Sequence, residues 1–595
     1  MKKIVLFILL ICSLYVNGQA PTFTANTFIP SATTSHYAYG INAQFYGDGS
    51  DPAFTAHGLF YPNYQDSIQA HIARDLGAKS ERLGDFEDQY YLFSLPNGQP
   101  NWAIHKANYL FYGNQGGMSD IACFMNTVSD GNLDKRVYNN PVATGNTHSP
   151  YHSLVFRNLY DSTNNGNIWN ADGSPDTVSP MVRYVKNFVL TYGQQATPKG
   201  GVRYFSVWNE PDIFDYSGTG IIDTLGVPAP QDMHNLYCPA YFYIRMLRIT
   251  YEVAHHYYPN CIVLTGGIGY PGFLHFLLTN TDNPGSDFTG DPTKGSGTKS
   301  SLYPNFGGAY FDAIDFHNYP GYSWSTYNNT TNRTDRLANS DNACNIFLAS
   351  LNGFKAYLAQ YGYDGTKYPA KFFICTETDL PSYTSFNTWA TFGSYEIERN
   401  YDTKIAVIAQ RNGIRQVYYY AQTDNVVLPN NANNPGDPNG SMGKYFFLSN
   451  HTSYSQFQKK PSGVAMTTHA NLFYGYDYDA TKSAALNLPS TCDGGAFTNS
   501  TTGVTRYVLW AKCTGDADES LVAGNQTLKN SQNTTFTNVG RSITYTIPSG
   551  ISFSKIWNWD ASYVPNNGFI YWSSYPYQSF QGQKLILTGT PIFVQ

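Results

Sequence analysis

The feature that most constrains this chain is a regular alternation of helix-like and strand-like segments from about residue 37 to residue 474. Apolar residues recur at helical spacing in residues 181–192, 240–257, 346–361, 395–411 and 464–474. Between them lie short β-branched and aromatic runs, at residues 120–126, 261–267, 309–319, 372–378 and 414–422. The two patterns alternate about eight times, which predicts parallel βα units that close into a (β/α)8 TIM barrel.

The pattern changes after about Ser483. Short alternating segments follow, separated by Asn, Gly and Ser, at residues 505–511, 543–547, 555–559 and 584–587. This pattern is typical of a β-sandwich. The predicted fold class is therefore α/β, with a catalytic barrel over residues 19–482 and a C-terminal β-sandwich over residues 483–595. Residues 19–36 are a candidate segment for pairing with the sandwich.

The first eighteen residues predict a secretory signal. Lys2 and Lys3 form a basic start, and the run from Ile4 to Val16 is mostly apolar. That run is too short to cross a bilayer as a helix. Val16 and Gly18 are small enough for cleavage before Gln19. We therefore expect a secreted or periplasmic protein with no membrane span.

The composition of the chain limits the classes of molecule that it is expected to bind. Charged residues make up 13% of the chain and the net charge is −6. The sequence has no basic stripe of the kind that indicates nucleic-acid binding. Aromatic residues make up 16%, which suits sugar binding or reflects a compositional habit. Cys492 and Cys513 are the best disulfide candidates, and no cysteine pair has zinc-site spacing. We expect no metal or cofactor, and a monomer or dimer.

Two predicted strands end in a glutamate. The first ends in Trp208-Asn209-Glu210-Pro211, where the proline cannot continue the ladder. The second runs from Phe372 to Glu377. The carboxyl ends of barrel strands share one face, where barrel enzymes carry their chemistry. Two carboxyl groups on one face are what glycoside hydrolysis requires, so the pair predicts a glycosidase.

The chain resembles clan A of the retaining glycoside hydrolases, and is most similar to family 39 and its neighbours. The resemblance rests on the Asn-Glu-Pro of the fourth strand, the glutamate of the seventh and the closing residues 589–594. It implies that Glu210 is the general acid/base and Glu377 the nucleophile. It further implies site contacts for Asn209, Arg82, His317 and Tyr319. Trp208, Tyr420 and Trp324 are further candidates for contact with a sugar, from their positions at or just after strand ends. Tyr420 stands near the end of the eighth strand, where the family carries a tryptophan platform.

Three interpretations remain open at this point. The leading one is a secreted retaining glycosidase acting on a plant or algal polysaccharide or oligosaccharide. The second is a non-catalytic carbohydrate-binding protein on the same barrel, and the third is a cell-surface structural protein. The two long polar segments at residues 130–179 and 280–307 suit a pocket for exo action or a cleft for endo action.

Overall fold

The structure is a computed structural model of the 595-residue chain. It describes residues 36–42, 62–126, 128–134, 155–198, 200–212, 236, 238, 240–284, 302–323, 325–328, 333–336, 339–382, 394–424, 438–446, 458–513, 525–529, 535–539, 543–561, 563–564, 570–572, 575–578 and 584–595. The predicted signal, residues 19–35 and Trp324 lie outside these ranges.

Eight parallel strands close into a barrel, as the alternation predicts. Each strand pairs with its neighbours in sequence order, and the last closes on the first through Ala38↔Gln416 and its successors. The strands are β1 (Ala38–Asn42), β2 (Ser80–Phe86), β3 (Asp120–Asn126), β4 (Val202–Val207), β5 (Ile262–Leu264), β6 (Ala313–His317), β7 (Phe372–Thr378) and β8 (Ile414–Tyr419).

Helices lie between the strands along the chain, and the longer ones present an apolar face. In α4, for example, Val182, Val185 and Phe188 are buried. The helices of the barrel are α1 (Pro62–Asp75), α2 (Glu87–Leu92), α3 (Lys106–Phe111), α4 (Pro180–Tyr192), α5 (Ala240–Tyr257), α6 (Pro271–Thr279), α7 (Ser340–Tyr361), α8 (Tyr395–Arg411) and α9 (Pro461–Phe473). A two-stranded hairpin, Ser325–Asn328 with Arg333–Arg336, follows β6.

Several predicted bounds differ from the observed ones. Residues 102–112 also have a helical pattern in the sequence, but the observed helix covers only Lys106–Phe111 and continues as a single π-helical turn, Tyr112–Gly116. The predicted strand at 309–319 begins at Ala313, because Gly307–Tyr310 form a 3-10 turn that starts with two glycines. The segment at 555–559 pairs only over Ile556–Trp557.

The barrel has an inner and an outer core. Inside it, a small cluster joins Ala122, Tyr204, Leu264, Ile374 and Tyr418, which come from five different strands. Outside it, a much larger cluster fills the space between strands and helices. That outer cluster continues into Phe497, Trp510 and Phe593 of the C-terminal region, so the two regions share a core.

Antiparallel sheets make up the C-terminal region. One has six strands, in the spatial order Asp477–Tyr478, Cys492–Thr498, Thr505–Ala511, Ile592–Val594, Ile556–Trp557 and Tyr563–Val564. Two-stranded sheets accompany it, including Ile543–Thr546 with Lys584–Leu587. A short helix, α10 (Ala480–Ala485), crosses the predicted boundary at residue 483. The boundary itself stays a prediction.

Cys492 and Cys513 both carry thiols, and no disulfide joins cysteines in the described residues. Within the same ranges, no helix is long and apolar enough to cross a membrane.

Candidate active site

Glu210 lies just beyond the carboxyl end of β4, where the chain turns sharply out of the barrel. Trp208 and Glu210 both have positive φ angles, 71° and 48°, which side chains other than glycine rarely adopt. Such backbone strain is of order 1–3 kcal/mol per residue and concentrates at functional sites. The Glu210 N–H donates to the Gly266 carbonyl oxygen at 2.7 Å, which fixes the turn against the end of β5.

Glu377 lies within β7, close to its carboxyl end, and is 5% exposed. Its Oε1 accepts a hydrogen bond from an Nη of Arg82, which is buried in β2. The other Nη of Arg82 donates to Asn209 Oδ1 at 2.5 Å, and the guanidinium lies 4.5 Å from the Phe124 ring centroid. Arg82 therefore connects the nucleophile candidate to the residue beside Glu210.

His317 and Tyr319, which end and follow β6, contact the two glutamates. Tyr319 Oη donates to Glu377 Oε2. His317 Nδ1 lies 2.8 Å from Glu210 Oε1 and 3.5 Å from Glu377 Oε2. The structure thus brings Arg82, Asn209, Glu210, His317, Tyr319 and Glu377 together at one mouth of the barrel.

The two carboxyl groups are close and their surroundings differ. One oxygen of Glu210, one oxygen of Glu377 and a His317 nitrogen all lie within 4.8 Å of one another. Burial raises the pKa of Glu210 to about 7, with the Arg82 cation opposing the rise and the Asp315 carboxylate adding to it. Glu377 has a permanent cation as its hydrogen-bond partner. One carboxyl is therefore suited to hold a proton, and the other accepts a hydrogen bond from a fixed cation.

The remaining predicted residues lie at varied positions. Trp208 is 4% exposed and belongs to the main hydrophobic cluster, beneath the site. The Tyr420 ring meets the Tyr319 ring edge-on, with centroids 5.7 Å apart, so it lies at the site. Sugar contacts by Trp208, Tyr420 and Trp324 stay predictions.

Several supporting residues escaped the sequence reasoning. Asn42 of β1 accepts from Arg82 at 3.1 Å and donates to the Thr376 carbonyl at 2.7 Å. Asp315 of β6 accepts hydrogen bonds from Thr376 and Ser206. No local motif marks these positions. The signal available in the sequence was the polar residues inside otherwise apolar strands, which in a barrel must point at partners.

Glycines set the course of the chain beside His317. Gly266 and Gly267 both have positive φ angles, 80° and 71°. A Cβ at Gly267 would lie 2.2 Å from His317 Nε2, and one at Gly266 would lie 2.2 Å from the Val207 carbonyl oxygen. Only glycine fits there. Asp212 accepts hydrogen bonds from the N–H groups of Gly269 and Tyr270, just before the start of α6.

Glu210, His317 and Glu377 are also residue types that bind divalent metals. Glu377, however, already accepts from the Arg82 guanidinium and Tyr319, and His317 Nδ1 contacts Glu210. The Arg82 cation bound to Glu377 would repel a metal cation at the same carboxylate. The arrangement suits proton transfer better than metal coordination, and we assign no metal to it.

The fold and the site together define a parallel barrel with an acid pair at one mouth. No protein-family model matches the chain, and no curated protein matches it. A conserved exported protein from Bacteroides fragilis is similar in structure, with 10% identity, a TM-score of 0.48 and coverage of 94% of this chain and 97% of that one.

Two glycoside hydrolases are also similar in structure. One is a family 51 arabinofuranosidase from Xanthomonas axonopodis pv. citri, with 10% identity, a TM-score of 0.46 and coverage of 96% and 99%. The other is a family 30 subfamily 8 xylanase from Clostridium acetobutylicum, with 11% identity, a TM-score of 0.42 and coverage of 94% and 96%. Likenesses this distant assign neither a family nor an activity to the chain.

Proposed function

We propose that this protein is a retaining glycoside hydrolase, with Glu210 as general acid/base and Glu377 as nucleophile. The observation that carries the proposal is the spacing of the two acids, whose oxygens approach within 4.8 Å at the mouth of the barrel. Carboxyl groups roughly 5–5.5 Å apart are typical of retaining enzymes, whereas inverting pairs stand about 6.5–9.5 Å apart to admit a water.

In the first step, Glu377 attacks the anomeric carbon and the glycosidic C–O bond breaks. Glu210 gives its proton to the departing oxygen, which is otherwise a poor leaving group. Burial, which raises the pKa of Glu210 to about 7, keeps that proton available near neutral pH. Arg82 and Tyr319 donate to the Glu377 carboxylate and orient it for attack. The product of this step is a glycosyl ester of Glu377.

In the second step, water attacks the same carbon and the ester C–O bond breaks. The Glu210 carboxylate takes the proton from that water, which restores both acids to their starting forms. Two displacements at one carbon retain the anomeric configuration. Asn209, held by Arg82, is placed to hydrogen-bond the sugar beside the reacting carbon.

The finer parts of the proposal follow from the sequence. We propose that the substrate is a plant or algal polysaccharide or oligosaccharide. We also propose that the protein is a relative of family 39. The leader at Met1–Gly18 supports secretion to the periplasm or the exterior. We also propose that the antiparallel sheets after residue 477 complete a β-sandwich that covers one side of the barrel.

The test is a screen of aryl glycosides and plant or algal polysaccharides, with the product anomer followed by NMR. Glu210→Ala and Glu377→Ala are then made separately. Each is expected to lower kcat by at least about a thousandfold, since each removes a group that acts on the reacting atoms. Azide is expected to rescue Glu210→Ala with retention and Glu377→Ala with inversion.

Undiminished hydrolysis of a polysaccharide, whose leaving group needs the acid, in either variant would refute the assignment of roles. Binding of oligosaccharide without any hydrolysis by the folded wild-type protein would favour the carbohydrate-binding alternative instead.

A further inference from the structure

A line of four hydrogen-bonding side chains runs from the barrel interior to Glu210. Asp315 is fully buried, and its two carboxylate oxygens accept hydrogen bonds from Thr376 Oγ1 and, at 2.7 Å, from Ser206 Oγ. Thr376 Oγ1 lies 2.9 Å from His317 Nε2, and His317 Nδ1 lies 2.8 Å from Glu210 Oε1. Every link of this line lies in or next to β4, β6 or β7.

The number of available protons fixes the direction of each bond. The Thr376 hydroxyl has one hydrogen, which it gives to Asp315. Its oxygen can therefore only accept from His317, so the imidazole proton lies on Nε2. His317 Nδ1 then presents a lone pair to Glu210, and a 2.8 Å contact between them needs a proton from the glutamate.

We propose that Asp315 and Thr376 are positioning residues, which act through His317 by holding its proton on Nε2 and thereby favour the acid form of Glu210. This inference rests on the proposed function. It adds that residues outside the substrate site determine how strongly Glu210 holds its proton. Two residues inside the barrel, neither of which touches substrate, would set the acid that starts the reaction.

The directions of the pKa shifts of His317 and Glu210 agree with this arrangement. Burial lowers the pKa of His317 to about 4, with Glu377 opposing the fall, so the imidazole is neutral while Glu210 keeps its proton. Among the residues that the structure describes, the charged and titratable groups facing Glu210 include Arg82, Asp212, Tyr270, Asp315, His317, Tyr319 and Glu377.

The His317 ring has little freedom to escape this role. Gly267 lies against it so closely that a single added methyl would overlap the ring, and His317 itself is 4% exposed. When Glu210 loses its proton, lone pairs of Glu210 Oε1 and His317 Nδ1 face each other and repel. This repulsion is relieved only if the imidazole proton moves to Nδ1. Nε2 then needs a donor, and Thr376 supplies one only by releasing Asp315. The Asp315–Thr376 bond therefore opposes deprotonation of Glu210.

The experiment measures the two protons directly, without substrate. Histidine 15N shifts, with the His317 signals assigned by their absence in His317→Gln, report the tautomer at a pH between about 4 and about 7. The protonated-carboxyl infrared band, taken as wild type minus Glu210→Gln, reports the titration of Glu210. Thr376→Val removes the hydroxyl at constant shape, and Thr376→Ser is the matched control that keeps it.

We expect the wild type and Thr376→Ser to hold the proton on Nε2 and to share one Glu210 midpoint. Thr376→Val is expected to move the proton to Nδ1 and to lower that midpoint by about one pH unit, the size of one hydrogen bond to a charged group. Asp315→Asn, whose amide can donate to Thr376, is expected to move the tautomer the same way.

Two results would overturn the inference. One is a wild-type imidazole with its proton on Nδ1, a result that needs neither Thr376→Val nor Asp315→Asn to fold. The other is an unchanged tautomer and midpoint in folded Thr376→Val or Asp315→Asn. Failure of the proposed function would look different: no glycoside would be hydrolysed, whatever the tautomer of His317.

Discussion

At the scale of single residues, the proposed role of Glu210 as general acid predicts a pH dependence. The pKa of Glu210 is raised to about 7 by burial, so the fraction that carries the donor proton falls as pH rises through 7. We expect kcat/KM on an aryl glycoside to fall tenfold per pH unit above that point. A profile measured from pH 4 to pH 9 checks it.

The control for that profile is a substrate whose leaving group needs no proton. With a highly acidic phenol as leaving group, the first step loses most of its need for the acid. Its alkaline limb is then expected to move to higher pH or vanish. A common limb for both substrates would show that a group other than Glu210 governs it.

Arg82 supports a second prediction at this scale. Its guanidinium contacts Glu377, Asn209 and Asn42 at once, which one lysine ammonium cannot reproduce. Arg82→Lys is expected to lower kcat/KM by at least about tenfold, or about 1.4 kcal/mol. The matched control is Arg203→Lys, since Arg203 pairs with Asp120 near the amino ends of β4 and β3. Its kcat/KM is expected to stay within about twofold; equal losses in both variants would contradict the role given to Arg82.

The two glutamates and the four residues beside them were predictable from the sequence, whereas Asn42, Asp315 and Thr376, which hold these residues, were not. Glu210 stands in a local motif, and its partners followed from a family pattern. Asn42 and Thr376 are 334 residues apart and meet only because barrel closure brings β1 beside β8, whose other neighbour is β7. Asp315 and Thr376 look like ordinary strand residues in the sequence. Their roles depend on strand register, which single-sequence periodicity does not determine.

At the scale of elements, a buried ionic cluster connects the carboxyl ends of β7 and β8 to α8 and α9. Lys444 Nζ lies 2.6 Å from Asp379 and from Asp402, and Lys460 Nζ lies 2.9 Å from Asp424. Glu398 lies between the two ammonium groups, 3.5 Å and 3.2 Å from them. The side chains are at most 1% exposed, so each charge depends on its partners.

Removing one cation from this cluster predicts a large loss of stability. Lys444→Met leaves Asp379 and Asp402 buried without their nearest cation, which is expected to lower the free energy of unfolding by about 3–5 kcal/mol. Thermal denaturation followed by circular dichroism checks it. The control is Lys459→Met, whose partner Asp75 is 47% exposed and whose loss is expected to be about 0–1 kcal/mol. Similar shifts for both variants would mean that the cluster contributes no more than a surface pair.

Element positions were more predictable than element ends. The bounds predicted for α5, α8 and β3 agree with the observed Ala240–Tyr257, Tyr395–Arg411 and Asp120–Asn126, because each has a long periodic or strongly apolar pattern. The π-helical turn Tyr112–Gly116 is bonded to α1, where Tyr112 Oη donates to Gln69 at 2.9 Å, and Ile556–Trp557 pairs with the distant strand Ile592–Val594. Local propensity does not record such contacts.

At the scale of the whole molecule, the barrel and the C-terminal sheets share a core rather than touching at a surface. Trp510 is fully buried in the large cluster, and its Nε1 donates to Asp341 at the start of α7 at 2.9 Å. Asp341 also pairs with Lys404 of α8 at 2.8 Å, and Arg411 pairs with Asp493 of the sheet at 2.6 Å. Elements that share buried contacts of this kind are expected to unfold together.

Trp510→Ala tests this coupling. The variant leaves a large cavity at the shared core and is expected to lower the stability of the entire chain by about 3–5 kcal/mol. Calorimetry should show one transition at a lower midpoint, with catalytic activity lost in that same transition. Trp510→Phe keeps most of the volume but loses the bond to Asp341, so about 1–3 kcal/mol is expected. If the C-terminal sheets of Trp510→Ala instead melt in a separate step while the barrel still hydrolyses substrate, the two regions fold independently, and the sheets are not part of what stabilises the site.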